Sequence, residues 1–130
     1  MSLTPRSALL LFSVASCAVV LTAQQPAPAA VYTAAQAASG HAAYDANCAA
    51  CHRPDLGGLN EAAQLAGGNF ISEWGSRSTA ELVDYIARTM PPINPGTVSA
   101  PAAAEIVAYI LQTNGAAPGI QPLAPATSVL

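Results

Sequence analysis

The run Cys48-Ala49-Ala50-Cys51-His52 decides what kind of fold this chain adopts. Two thiols one helical turn apart can add to the two vinyl groups on one edge of a porphyrin. The imidazole that follows at once then lies under the ring, with a nitrogen for the iron. The motif implies a covalent c-type haem, with Cys48 and Cys51 as thioethers and His52 as the proximal ligand. Two other chemistries use C-x-x-C, a thioredoxin-like redox pair and half of a zinc site. Zinc needs two further ligands, whereas the remaining cysteine is Cys17 near the N-terminus and the remaining histidine is His41. A redox pair needs a βαβ pattern, and no segment alternates at period two for long enough to make a strand.

The N-terminus addresses the compartment. Arg6 precedes an apolar run over residues 8–21, followed by Thr22, Ala23, Gln24 and Gln25, the order of a secretory signal peptide cleaved after Ala23. The run is shorter than the roughly 20 apolar residues that span a bilayer. Val14-Ala15-Ser16-Cys17 resembles a lipobox, which would put a lipid on Cys17, but the apolar run continues past the cysteine through Val19, Val20 and Leu21. An inert cysteine in a discarded peptide is the reading preferred here. Either alternative places the domain outside the cytoplasm, with membrane anchoring through Cys17 or an uncleaved leader kept as the second reading.

The expected organisation is a signal peptide over residues 1–23, a linker over 24–33, one domain over 34–115 and a flexible tail over 116–130. The chain is 52% hydrophobic but 5% aromatic. Much of the apolar content is therefore alanine, which buries little area. A domain of about 85 residues built this way is small for an independent core. An enclosed haem would supply the missing apolar mass, so the chain without it is expected to be poorly ordered. One of the four arginines, Arg6, lies in the leader, which leaves Arg53, Arg77 and Arg88 against seven acids and no lysine. That balance argues against nucleic-acid binding. It also points to docking through an apolar patch rather than a lysine ring.

Three helices are expected. Thr33 with Gln36 is a capping box, and residues 35–47 contain no proline, so a helix runs into the haem motif. Its interior Gly40 calls for a packing reason. Ser78 with Glu81 opens a second helix with the stripe Leu82, Val83 and Ile86, which stops near Thr89 before Pro91 and Pro92. A third begins around Pro101, carries Ile106, Val107, Ile110 and Leu111 on one face, and ends at Asn114-Gly115. Met90, the sole methionine outside the leader, stands just after a helix and before two prolines. Its soft thioether makes it the candidate distal ligand. His41 lies two turns before Cys48 on the same helix and reads as a solvated or core-edge histidine.

At this point the chain resembles the class I mono-haem cytochromes c of bacteria, over about residues 34–115. Gly40, Tyr44 and Tyr109 match the helix crossing of that family; Cys48, Cys51 and His52 match its haem motif, and Met90-Pro91 its distal turn. The stretch Gln64-Leu65-Ala66-Gly67-Gly68-Asn69-Phe70, followed by Trp74, resembles its proximal loop, and Ile106-Val107-Ala108-Tyr109-Ile110-Leu111 its last helix. The resemblance implies an all-α cytochrome c fold of three to five short helices around one haem. In the family a proline usually stands two residues before the loop leucine, and its carbonyl accepts the second N–H of the proximal histidine. Ala63 occupies that slot, which keeps a carbonyl but loses rigidity. Trp74 reads either as a donor to a haem propionate, assisted by Arg77, or as packing alone; Arg53 is equally open.

With His52 and Met90 both on the iron, no position remains for substrate. The expected function is one-electron transfer in the periplasm without substrate turnover, serving a dehydrogenase, such as a quinoprotein, or a terminal oxidase. A tethered haem subunit of a larger oxidoreductase, and a haem enzyme or gas sensor with a labile sixth ligand, are the alternatives.

Overall fold

The computed structural model describes residues 30–124, and the expected leader with Cys17 lies outside them. Five helices follow in order: α1 (Ala34–Asn47), α2 (Ala49–His52), α3 (Gly68–Trp74), α4 (Thr79–Thr89) and α5 (Ala100–Thr113). Among the described residues only isolated bridges, Thr33 with Gly119 and Leu59 with Ala62, have strand-like pairing. None of these helices is long and apolar enough to cross a membrane.

Local chemistry starts the long helices where the sequence says. The Thr33 hydroxyl accepts from the Gln36 N–H, and the Gln36 side chain accepts from the Thr33 N–H, each at 3.2 Å. Ser78 and Glu81 repeat the arrangement on α4. Hydrogen bonds from the Ser78 backbone and hydroxyl hold the Glu81 carboxyl below its ordinary range. On α5 the cap is Ser99, with proline in the first turn. Such caps satisfy N–H groups that have no partner inside the helix.

Packing does the rest. Ala37, Gly40 and Tyr44 form the buried face of α1. A Cβ at Gly40 would lie 1.8 Å from the Glu105 carbonyl oxygen, so the backbones of α1 and α5 touch there, and only glycine fits. Tyr44 and Tyr109 meet beside the crossing with ring centroids 5.4 Å apart. The expected stripes are buried: Leu82, Val83 and Ile86 on α4, and Ile106, Val107, Ile110 and Leu111 on α5. Each such side chain contributes about 1.5–3 kcal/mol when removed from water.

Three expectations need correction. The short α3 lies in the stretch read as a loop: Gly67 and Gly68 are poor helix formers, but Phe70 and Trp74 are buried from it. The linker assignment of 24–33 runs too far, because Tyr32 is fully buried and Val31 packs against the core. The flexible-tail assignment of 116–130 starts too early, because residues 116–123 are fastened to the start of the domain. Tyr32 donates from its hydroxyl to the Ala116 carbonyl, and the Gly119 N–H donates to the Tyr32 carbonyl at 2.7 Å. Gln36 donates to the Leu123 carbonyl at 3.0 Å and accepts its N–H at 2.7 Å, and Leu123 is buried.

Candidate haem site

The motif Cys48 to His52 is wound into a tight turn as α1 ends. The Cys48 N–H still donates to Tyr44, and the Cys51 and His52 N–H groups both donate to the Cys48 carbonyl, at 3.1 and 2.9 Å. This puts both sulfurs and the imidazole at one cavity of about 1100 Å³. Arg53, with φ of +66°, ends the turn, and the buried Tyr44 hydroxyl donates to its carbonyl at 2.7 Å.

His52 is oriented from behind. Its Nδ1 lies 2.8 Å from the Ala63 carbonyl oxygen. A carbonyl only accepts, so Nδ1 carries the proton and Nε2 is the nitrogen left for a metal. Alanine therefore performs the contact expected of residue 63. In the chain without haem, burial first and the neighbouring Cys51 second push the Cys48 thiol up to about 11, so it is uncharged at neutral pH.

The other walls come from distant parts of the chain. Met90, the C-cap of α4, lines the same cavity with Pro91 and Pro92. Leu82, Ile86, Ile106 and Ile110 bring the core stripes of α4 and α5 to it, and Phe70 and Trp74 bring α3. The five predicted residues Cys48, Cys51, His52, Trp74 and Met90 thus share one largely apolar cavity. Its volume of about 1100 Å³ lies just above the roughly 300–1,000 Å³ that holds ordinary ligands. Two thiols beside one nitrogen donor, with a thioether on the same cavity, fit a haem.

Arg77 is neither simply solvated nor placed by the structure on a propionate. Its guanidinium lies 4.7 Å from the Trp74 ring centroid and pairs with Glu73 at 3.0 Å. Arg53 pairs with Asp55 at 3.3 Å. These pairs are exposed and contribute little to stability. His41 stacks on Tyr109 at 4.5 Å, outside the cavity lining, as a core-edge histidine.

Two residues escaped the sequence reading. Tyr85 lines the cavity and meets Trp74 with centroids 5.4 Å apart; its place four residues before Thr89 on the α4 periodicity was the available signal. Asn114, read only as a helix stop, hydrogen-bonds the loop beneath His52, and no local pattern announces that.

A family model described as cytochrome c oxidase, cbb3-type, subunit III matches residues 35–110, more than half of the chain. Among solved structures, the crystal structure of the sulfane dehydrogenase SoxCD from Paracoccus pantotrophus is similar in fold, with a TM-score of 0.51 and 23% identity. That match covers 76% of this chain, which spans 61% of the matched one. No curated protein matches the chain.

Proposed function

The chain belongs to the c-type cytochrome family described as subunit III of cbb3-type cytochrome c oxidase, and on that premise we propose that it is a periplasmic one-electron carrier with His52 and Met90 as axial ligands. Electron transfer by haem follows from the family. The proposal adds a single haem held through Cys48 and Cys51, export, and service to a periplasmic dehydrogenase or terminal oxidase.

The observation that carries it is the meeting of both motif cysteines, His52 and Met90 on one apolar cavity, with His52 Nδ1 already bonded to Ala63. When bound, haem supplies an iron that alternates between ferrous and ferric states. His52, held by the Ala63 carbonyl, keeps its ring orientation in both states and gains basicity. Met90 offers a soft sulfur that favours the reduced state. Leu82, Ile86, Ile106 and Ile110 exclude water, which also disfavours the more charged ferric form. Two protein ligands leave no place for substrate, consistent with transfer rather than turnover. Trp74 is proposed as a cofactor-binding wall.

The expected haem stain survives denaturing electrophoresis, and the ferric protein shows the near-infrared sulfur-to-iron charge-transfer band. Met90→Ala is expected to lose that band while keeping the covalent stain. A variant that retained the band would remove Met90 as the ligand, and rapid carbon monoxide binding by the reduced parent would favour an enzyme or sensor.

A second reading, a tethered subunit of a larger oxidoreductase, draws on the family's description as an oxidase subunit. Co-migration with a large complex after mild extraction supports it; migration as a soluble monomer counts against it.

A further inference from the structure

The Ala63 carbonyl can orient His52 only if its own direction is fixed, and nothing in an alanine side chain fixes it. Residue 63 is exposed and lies outside any helix. The restraint comes from its neighbours. On one side the Leu65 N–H donates to the Leu56 carbonyl at 2.9 Å. On the other side stands Asn114, at the end of α5. Its Nδ2 donates to the Leu65 carbonyl at 2.9 Å and to the Ile110 carbonyl at 2.8 Å, and its Oδ1 accepts the Gly67 N–H at 2.8 Å.

From this geometry we infer that Asn114 is the positioning residue for the proximal ligand. It couples the orientation of His52 to the rigid end of α5, 62 residues further along the chain (114 − 52). The inference rests on His52 as the iron ligand. The chemistry needs an amide: one side chain must donate to two carbonyls and accept from an N–H, which a carboxylate, a hydroxyl or an aliphatic group of that size does not do. Ile110, which Asn114 also grips, sits in the core and lines the cavity, so the anchor itself is held by packing. Holding residues 65 and 67 on both sides of Ala66 limits the freedom of the peptide that presents the Ala63 oxygen. The His52 N–H bond then keeps its length and direction, and with it the basicity of the imidazole.

The test uses holoprotein variants Asn114→Leu and Asn114→Asp, with Gln36→Ala as the control. Gln36 also makes several hydrogen bonds across the fold, but to Leu123 and Thr33, away from this loop. Two readouts distinguish positioning from general stability: solvent exchange of the His52 ring N–H by NMR, and the midpoint potential. Asn114→Leu is expected to speed the exchange, because a hydrogen bond whose acceptor is no longer held opens more often. Its potential should rise, because a less basic imidazole stabilises ferric iron less. Asn114→Asp keeps the acceptor and loses the donors, so it should fall between parent and Asn114→Leu, and it carries the test if the leucine variant does not fold. Gln36→Ala should lower thermal stability and leave both readouts at parental values. Parental exchange and potential in Asn114→Leu and Asn114→Asp, or equal changes in Gln36→Ala, would overturn the inference. A parent whose ferric form shows no hyperfine-shifted His52 ring N–H would instead remove His52 as ligand, and the inference with it.

Discussion

The α1–α5 crossing and the loop beneath His52 solve opposite problems. At the crossing, side chains are small or apolar, the backbones touch at Gly40, and Tyr44, Ile106 and Ile110 are fully buried. The loop over residues 53–67 buries little, and three of its residues other than glycine, Arg53, Leu56 and Asn60, have φ of +66°, +59° and +53°. Such conformations cost of order 1–3 kcal/mol each and persist only where surroundings impose them. At Arg53 and Leu56 hydrogen bonds help impose them, from Tyr44 to the Arg53 carbonyl and from the Leu65 N–H to the Leu56 carbonyl, and Leu56 is also held by burial. The crossing supplies stability without direction, and the loop supplies direction at some expense of stability.

That contrast can be broken or sharpened by substitution. Gly40→Ala places a methyl group inside the Glu105 carbonyl, and is expected to cost about 3 kcal/mol or more. Thermal unfolding should show a fall of more than about 10 °C for a domain of this size. A small fall would mean that the helices can part, and that the crossing is not the anchor described. Tyr44→Phe removes the hydroxyl that ties the crossing to the loop, and is expected to cost about 1 kcal/mol at neutral pH.

The same tyrosine gives a pH signature. Burial first, and neighbouring negative charge second, raises Tyr44 above its ordinary value of 10.0, and burial raises Tyr32 as well. The unfolded tyrosines therefore lose their protons first as pH rises. Their contribution is fully present below pH 10 and is lost as pH climbs through the folded values. Denaturant titrations above pH 10 should fall less steeply for Tyr44→Phe than for the parent, with the remaining slope carried by Tyr32. Equal slopes would count against the buried tyrosine as the source. The smallest effect is expected of Ala63→Pro. Residue 63 has no positive φ, and its N–H makes no backbone hydrogen bond among the described residues. Proline there should stabilise by about 0.4–1 kcal/mol, through the unfolded chain. Destabilisation would show that the loop needs freedom at this point.

What the sequence made legible was local. The haem motif spans five residues, and each capping box spans four, so every participant is visible in one glance at the chain. The stripes on α4 and α5 were readable from spacing, because both are long enough to show a period. Gly40 was readable as an anomaly; the resemblance implied a helix crossing there, and the structure supplies its cause, the Glu105 carbonyl. The α3 helix was hidden because its start is glycine and its stabilisation comes from where Phe70 and Trp74 are buried. The docking of residues 116–123 was hidden for a different reason. Its bonds join residues 84 and 87 positions apart, and proline-containing sequence looks the same whether it is packed or loose. Asn114 combined both difficulties, since a helix stop was sufficient reason for an asparagine there.

The bonds from Gln36 to Leu123 and from Gly119 to Tyr32 have an architectural consequence. They set the entry and exit of the chain side by side, so the domain behaves as a bead with one stem. Such a bead can be appended to or inserted into another protein at a single point, without threading new chain around the cavity. Whatever polypeptide precedes residue 30 or follows residue 124 attaches at this shared corner.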